Sequence, residues 1–160
     1  MKLVPKTPHL GIVFYTTHLK TKNFIPAIVD NVSNVVLCTK IQNEFGATVP
    51  TLENLMGALS GTEIDNLLVE IDSSEVHIMD GSAKEFVYQI RATGTKNYDT
   101  TRKFIKVLKK CELVVDNKFI SIEPYENDLK IDFEIVYKNQ LISTKTVYYT
   151  HMTQTTNKTV

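Results

Sequence analysis

Pro50-Thr51-Leu52-Glu53-Asn54-Leu55-Met56-Gly57-Ala58-Leu59-Ser60-Gly61 fixes the first element of the fold. Leu52, Leu55, Met56 and Leu59 fall at i, i+3, i+4 and i+7, which places four apolar side chains on one face of a helix. Thr51 is of the residue type that caps a helix N-terminus, with Pro50 just before it, and Gly61 offers a stop. The stretch therefore predicts an amphipathic helix that needs a sheet to pack on.

Strand patterns lie on both sides of it. Gly11-Ile12-Val13-Phe14-Tyr15, Val35-Val36-Leu37-Cys38-Thr39 and Asn66-Leu67-Leu68-Val69-Glu70-Ile71 are short runs of β-branched or large apolar residues. A second helix is expected after Ser82. The Ser82 hydroxyl and the Glu85 carboxylate, three residues apart, form a capping-box pattern, in which each satisfies the other's free backbone N–H. Phe86, Val87 and Ile90 supply its buried face, and Gly94 ends it.

Thr95-Lys96-Asn97-Tyr98-Asp99-Thr100 is polar and turn-forming and reads as a boundary. Beyond it, residues 104–107, 113–115, 119–122 and 129–137 carry strand patterns, and Ile131, Phe133 and Ile135 alternate with Asp132 and Glu134 in the half-buried period of two. No helix is expected there. Residues 143–160 hold seven threonines and few large aliphatic side chains, so a disordered tail is expected. The sequence thus predicts an α+β fold: a layered sheet with two packed helices over residues 1–95, an incomplete strand-rich domain over 102–142, and the tail.

Composition narrows the function. Lysine plus arginine and aspartate plus glutamate each total 18, so no net field attracts nucleic acid or anionic lipid. No apolar run approaches the roughly 20 residues that span a bilayer. Cys38 and Cys111 form no Cys-x-x-Cys pair, which argues against a disulfide framework and for a reducing, cytoplasmic location.

The helix stretch, followed by Ile64-Asp65-Asn66 and then Ile78-Met79-Asp80-Gly81-Ser82-Ala83, resembles the UDP-3-O-acyl-N-acetylglucosamine deacetylases, the zinc-dependent enzymes of lipid A biosynthesis. Gly11-Ile12-Val13-Phe14, Leu37-Cys38-Thr39, Glu123-Pro124-Tyr125 and Ile131-Asp132-Phe133 extend the resemblance to about residue 142. These blocks contain polar residues at fixed spacing that a generic core pattern does not demand.

The resemblance implies that Glu53 stands at the position of the family's general base, which takes a proton from zinc-bound water. A first-turn glutamate also complements a helix dipole whether or not chemistry follows. Asn54 falls where the family has its first zinc-ligating histidine, and a neutral amide lacks the imidazole lone pair that zinc prefers. The family's other ligands lie in a His-Lys-x-x-x-Asp motif of its second domain, which has no counterpart here. Leu37, Cys38 and Thr39 match a substrate-contacting segment, with Cys38 also readable as simple packing. His77 replaces a family proline, and a metal site made with Asp72, Glu75 or Asp80 is the lesser reading beside a solvated loop.

The expectation is therefore a truncated, inactive deacetylase homologue that needs no cofactor of its own. The alternatives are one half of a split enzyme, or a non-catalytic module binding the acylated UDP-sugar or an intact family member. Strands between 104 and 137 are expected to leave apolar faces open to a separate C-terminal half or to self-association.

Overall fold

The computed structural model describes residues 1–126, 130–136 and, as backbone pairing, 144–149. The chain divides into two units, Met1–Thr101 and a second that begins at Arg102. Its mixed sheets and two helices make an α+β fold.

In the first unit, strands β1 (Lys2–Pro5), β2 (Ile12–Thr16) and β3 (Phe24–Pro26) precede a small sheet of β4 (Val32–Asn34), β5 (Lys40–Gln42) and β6 (Thr48–Val49). Helix α1 (Glu53–Gly61), strand β7 (Leu67–Ile71) and helix α2 (Lys84–Thr93) follow. The main sheet has the order β1-β7-β2-β3, with β2 and β7 parallel at its centre and the outer pairs antiparallel. Central parallel strands are buried on both faces, which is why β2 and β7 read as continuous apolar runs. Pro5 and Pro26, which cannot donate to a ladder, sit on the two edge strands.

Register sets the core. Leu3, Val69, Phe14 and Ile25 pair across all four strands and line one face of the sheet. Val69, Phe14 and Ile25 are fully buried in one cluster with Leu55, Ala58 and Leu59 of α1, and with Phe86 and Ile90 of α2. Ile41 and Val49, paired between β5 and β6, join the same cluster and attach the small sheet to it.

Several local expectations change. Thr51 does not cap α1: it has a φ of 62°, and the N-cap position is Leu52, which makes no side-chain cap bond. Gly61 is the last residue of the helix, as expected, and the closure is completed just beyond it, with Thr62 at the C-cap. The Glu63 N–H donates to the Ser60 carbonyl and the Ile64 N–H to the Leu59 carbonyl, with Glu63 left-handed at φ 58°. This is a Schellman closure, with the glutamate where glycine is usual.

The capping box at Ser82 is also replaced. The Ser82 N–H and hydroxyl both donate to Asp80 Oδ1, at 3.0 and 2.8 Å, and the Ser82 hydroxyl oxygen accepts the Lys84 N–H. Asp80 thus takes the donor intended for Glu85, because it lies two residues upstream in a turn where Gly81 has a φ of 81°. Gly94, at φ 84°, ends α2 as expected, with its N–H on the Ile90 carbonyl.

Residues 35–39 are not a strand. The Val36 N–H is captured by Asn34 Oδ1 at 2.7 Å, and Leu37 has a φ of 65°, so these residues form the turn between β4 and β5. Side-chain acceptors have taken donors that a ladder would use. Val35, Val36 and Leu37 are exposed as a result.

The second unit contains, among the described residues, only strands. β8 (Cys111–Val115) and β9 (Lys118–Ile122) form a hairpin around a two-residue loop, and β10 (Ile131–Val136) pairs with β11 (Thr144–Tyr149). Residues 104–107 form no strand. Thr144–Tyr149, expected in the disordered tail, instead pairs as a strand, consistent with its β-branched and aromatic composition. The rest of that tail, residues 143 and 150–160, and the two ends of the strand expected over 129–137 lie outside the described residues. Leu113, Phe119 and Ile120 are 61%, 76% and 66% exposed, so the β8–β9 hairpin buries little apolar surface. A two-stranded hairpin alone is marginal in water.

Two outcomes follow. Leu55→Ala should lower the unfolding free energy of the first unit by about 2–5 kcal/mol, read from the shift of its urea midpoint at unchanged slope. The hydrogen bonds from Ser82 hold the Asp80 carboxyl below its ordinary value of 3.8. A depressed carboxyl pKa stabilises the fold above the unfolded value, and that stabilisation is lost as pH falls through the folded one. Thermal unfolding should therefore separate the parent from Asp80→Asn near neutral pH, and the gap should narrow as pH drops below 3.8.

Candidate functional site

Glu53 is the first residue of α1, exposed, and placed where the free N–H groups of a helix start favour a carboxylate. Its Oε1 accepts the backbone N–H of Thr39. The turn expected to contact substrate and the residue expected to stand at the base position are thus brought together, although Thr39 and Glu53 lie 14 residues apart in the chain. Cys38 and Thr39 are half-buried beside the fully exposed Leu37. Asn54 is half-buried on the next position of the helix.

The approach to Glu53 is strained and pinned. Thr51 is β-branched, and a left-handed conformation costs such a residue on the order of 1–3 kcal/mol unless its surroundings impose it. Its hydroxyl donates to Glu75 Oε2 at 2.9 Å, and the Val76 N–H donates to the Pro50 carbonyl at 3.3 Å. The Ser73 hydroxyl donates to the Glu75 carbonyl at 2.7 Å, and Val76 is fully buried, so the segment holding Thr51 is itself anchored. The sequence suggests Glu75 only as a possible partner of His77, because its bond to Thr51 spans 24 residues, and the apolar run over 35–39 hides Asn34, which takes the Val36 N–H two residues on.

The donor set around Glu53 does not fit a zinc ion. Among the described residues no three His, Cys, Asp or Glu side chains come together as a metal site. The neighbouring side chain at 54 is a neutral amide, and one carboxylate oxygen of Glu53 is engaged by an N–H. His77, with Asp72, Glu75 and Asp80 near it in sequence, assembles no such group either. Asp80 is committed to Ser82 and Glu75 to Thr51.

Comparison with known proteins agrees with the residue blocks. The family model described as "LpxC: UDP-3-O-acyl N-acetylglycosamine deacetylase" matches residues 1–160. Among curated proteins, the UDP-3-O-acyl-N-acetylglucosamine deacetylase of Mannheimia succiniciproducens is 37% identical over 150 residues, 94% of this chain and 49% of that protein. Those of Glaesserella parasuis serovar 5 and Pseudoalteromonas atlantica are 33% and 36% identical over 143 residues, 89% of this chain and 47% of each protein. The chain spans about half the length of the curated relatives it matches. With a family model matching residues 1–160 and relatives at 33–37% identity over 89–94% of its length, the chain belongs to the UDP-3-O-acyl N-acetylglycosamine deacetylase family.

Proposed function

We propose that this chain is a deacetylase-family protein that does not by itself remove the N-acetyl group from a 3-O-acylated UDP-N-acetylglucosamine. The family belongs to lipid A biosynthesis and uses zinc to activate the attacking water. The observation that carries the reading is Asn54 directly after Glu53, with no set of metal donors converging among the described residues. A general base within reach of water is not sufficient, because catalytic zinc sites need three protein ligands and one open position. A cytoplasmic location belongs to this proposal, and no helix among the described residues is long and apolar enough to cross a membrane.

A non-catalytic role in binding the acylated UDP-sugar is compatible with the same turn. Leu37, Cys38 and Thr39, the substrate-contacting positions by resemblance, sit beside Glu53 with Leu37 open to an apolar group.

The exposed apolar strands of the second unit favour one further reading, a split enzyme. Leu113, Ile120 and Ile122 fall on one face of the β8–β9 hairpin, and Ile131, Phe133 and Ile135 on one face of β10. Exposed patches of this kind mark interaction surfaces. The partner proposed is a separate polypeptide supplying the remaining half of a family member, and self-association is the competing outcome.

Purified chain supplied with zinc and UDP-3-O-acyl-N-acetylglucosamine is expected to release no acetate above the level of Glu53→Gln. Zinc-dependent release that Glu53→Gln abolishes would contradict the proposal. If the split reading holds, adding the C-terminal half of a relative should restore turnover and yield a one-to-one complex by sedimentation. Homodimers without turnover would identify self-association instead.

A further inference from the structure

We infer that Glu75 is a positioning residue, which holds the backbone turn ahead of Glu53 and thereby sets where the Glu53 carboxylate lies. The inference rests on the family reading only in taking position 53 as the site; its geometry stands on this chain alone.

Thr51 has two uses open to it. Its sequence position suits an ordinary N-cap, in which an extended backbone lets the hydroxyl accept an N–H from the first turn of α1. In the folded chain the hydroxyl instead donates to Glu75 Oε2 at 2.9 Å, and the backbone is left-handed at φ 62°. Glu75 therefore diverts Thr51 from the capping geometry that its own chemistry favours. The segment doing so is firmly held: Val76 is fully buried, the Val76 N–H reaches the Pro50 carbonyl, and the Ser73 hydroxyl reaches the Glu75 carbonyl.

The consequence appears two residues on. Leu52 enters the core directly after the turn, and Glu53 emerges with its carboxylate on the Thr39 N–H. Three segments are thus latched in series: 73–76 holds 50–52, and Glu53 holds the turn over 35–39. Releasing Thr51 would let the start of α1 settle into a normal cap, and the reach of Glu53 to Thr39 would change with it.

The test is amide hydrogen exchange in the full chain, read at Thr39, with Val69 as a reporter of the intact core. Glu75→Ala is expected to speed exchange at Thr39 on the order of fivefold or more, leaving Val69 protected. Glu75→Gln should behave as the parent, because its amide oxygen can accept the same hydroxyl. Glu75→Ala combined with Thr51→Gly should recover slow exchange, since glycine adopts a positive φ without the hydrogen bond. Unchanged exchange in Glu75→Ala, or no recovery in the double variant, would overturn the inference. Should Glu75→Ala lose its core, Thr51→Val decides the matter: it removes the hydroxyl alone and must release Thr39 to the same degree. Neither zinc nor substrate enters this readout, so its failure is distinct from a failure of the proposed function.

Discussion

Burial of one face of α1 on the Val69–Phe14–Ile25 row is the contact on which the first unit depends. Leu55 and Leu59 share a single cluster with that row, and the same cluster receives Phe86 and Ile90 from α2 and Ile41 and Val49 from the small sheet. Every element around the site is therefore referred to one core. The parallel pairing of β2 with β7 requires a long crossover, and α1 together with the small sheet forms it. The start of α1, where Glu53 stands, is consequently fixed relative to the β4–β5 turn that carries Thr39.

The helix and its buried face are in place, and the carboxylate of Glu53, the base position by resemblance, meets the turn expected to contact substrate. The donors expected to surround it do not assemble among the described residues, and the amide of Asn54 is a hard, neutral oxygen donor suited to other cations than zinc. In this setting Glu53 acts as a clasp for a loop. The second unit contrasts with the first, since its hairpins leave apolar side chains exposed where the first unit has buried them.

Much of this was legible in the sequence, for physical reasons that differ by element. The periodicity of Leu52, Leu55 and Leu59 marks α1 because a helix face must be apolar to be buried, and the runs at 12–16 and 67–71 mark the central strands because both their faces are covered. Misreadings occurred where a side chain outcompeted the local pattern. Asn34 and Glu53 captured backbone donors and turned an apolar run over 35–39 into a loop, Asp80 displaced Glu85 at the start of α2, and Glu75 took the hydroxyl that would have capped α1. The edge strands β1 and β3 and the short strands of the small sheet carry too few residues for a period to register. At the site, Glu53 and the Leu37-Cys38-Thr39 turn could be named from the motif, whereas their hydrogen bond depends on tertiary placement that spacing does not encode.

The proposal rests on Glu53 clasping the β4–β5 turn through the Thr39 N–H, with residues 53 and 54 of this chain holding no zinc. Anomalous diffraction at the zinc edge, from crystals of the chain grown with excess zinc, tests it most directly. The account predicts no zinc peak within bonding distance of Glu53 or Asn54, and a Glu53 carboxylate bound to the Thr39 N–H. A zinc ion coordinated at that helix start, with Thr39 released, would contradict it.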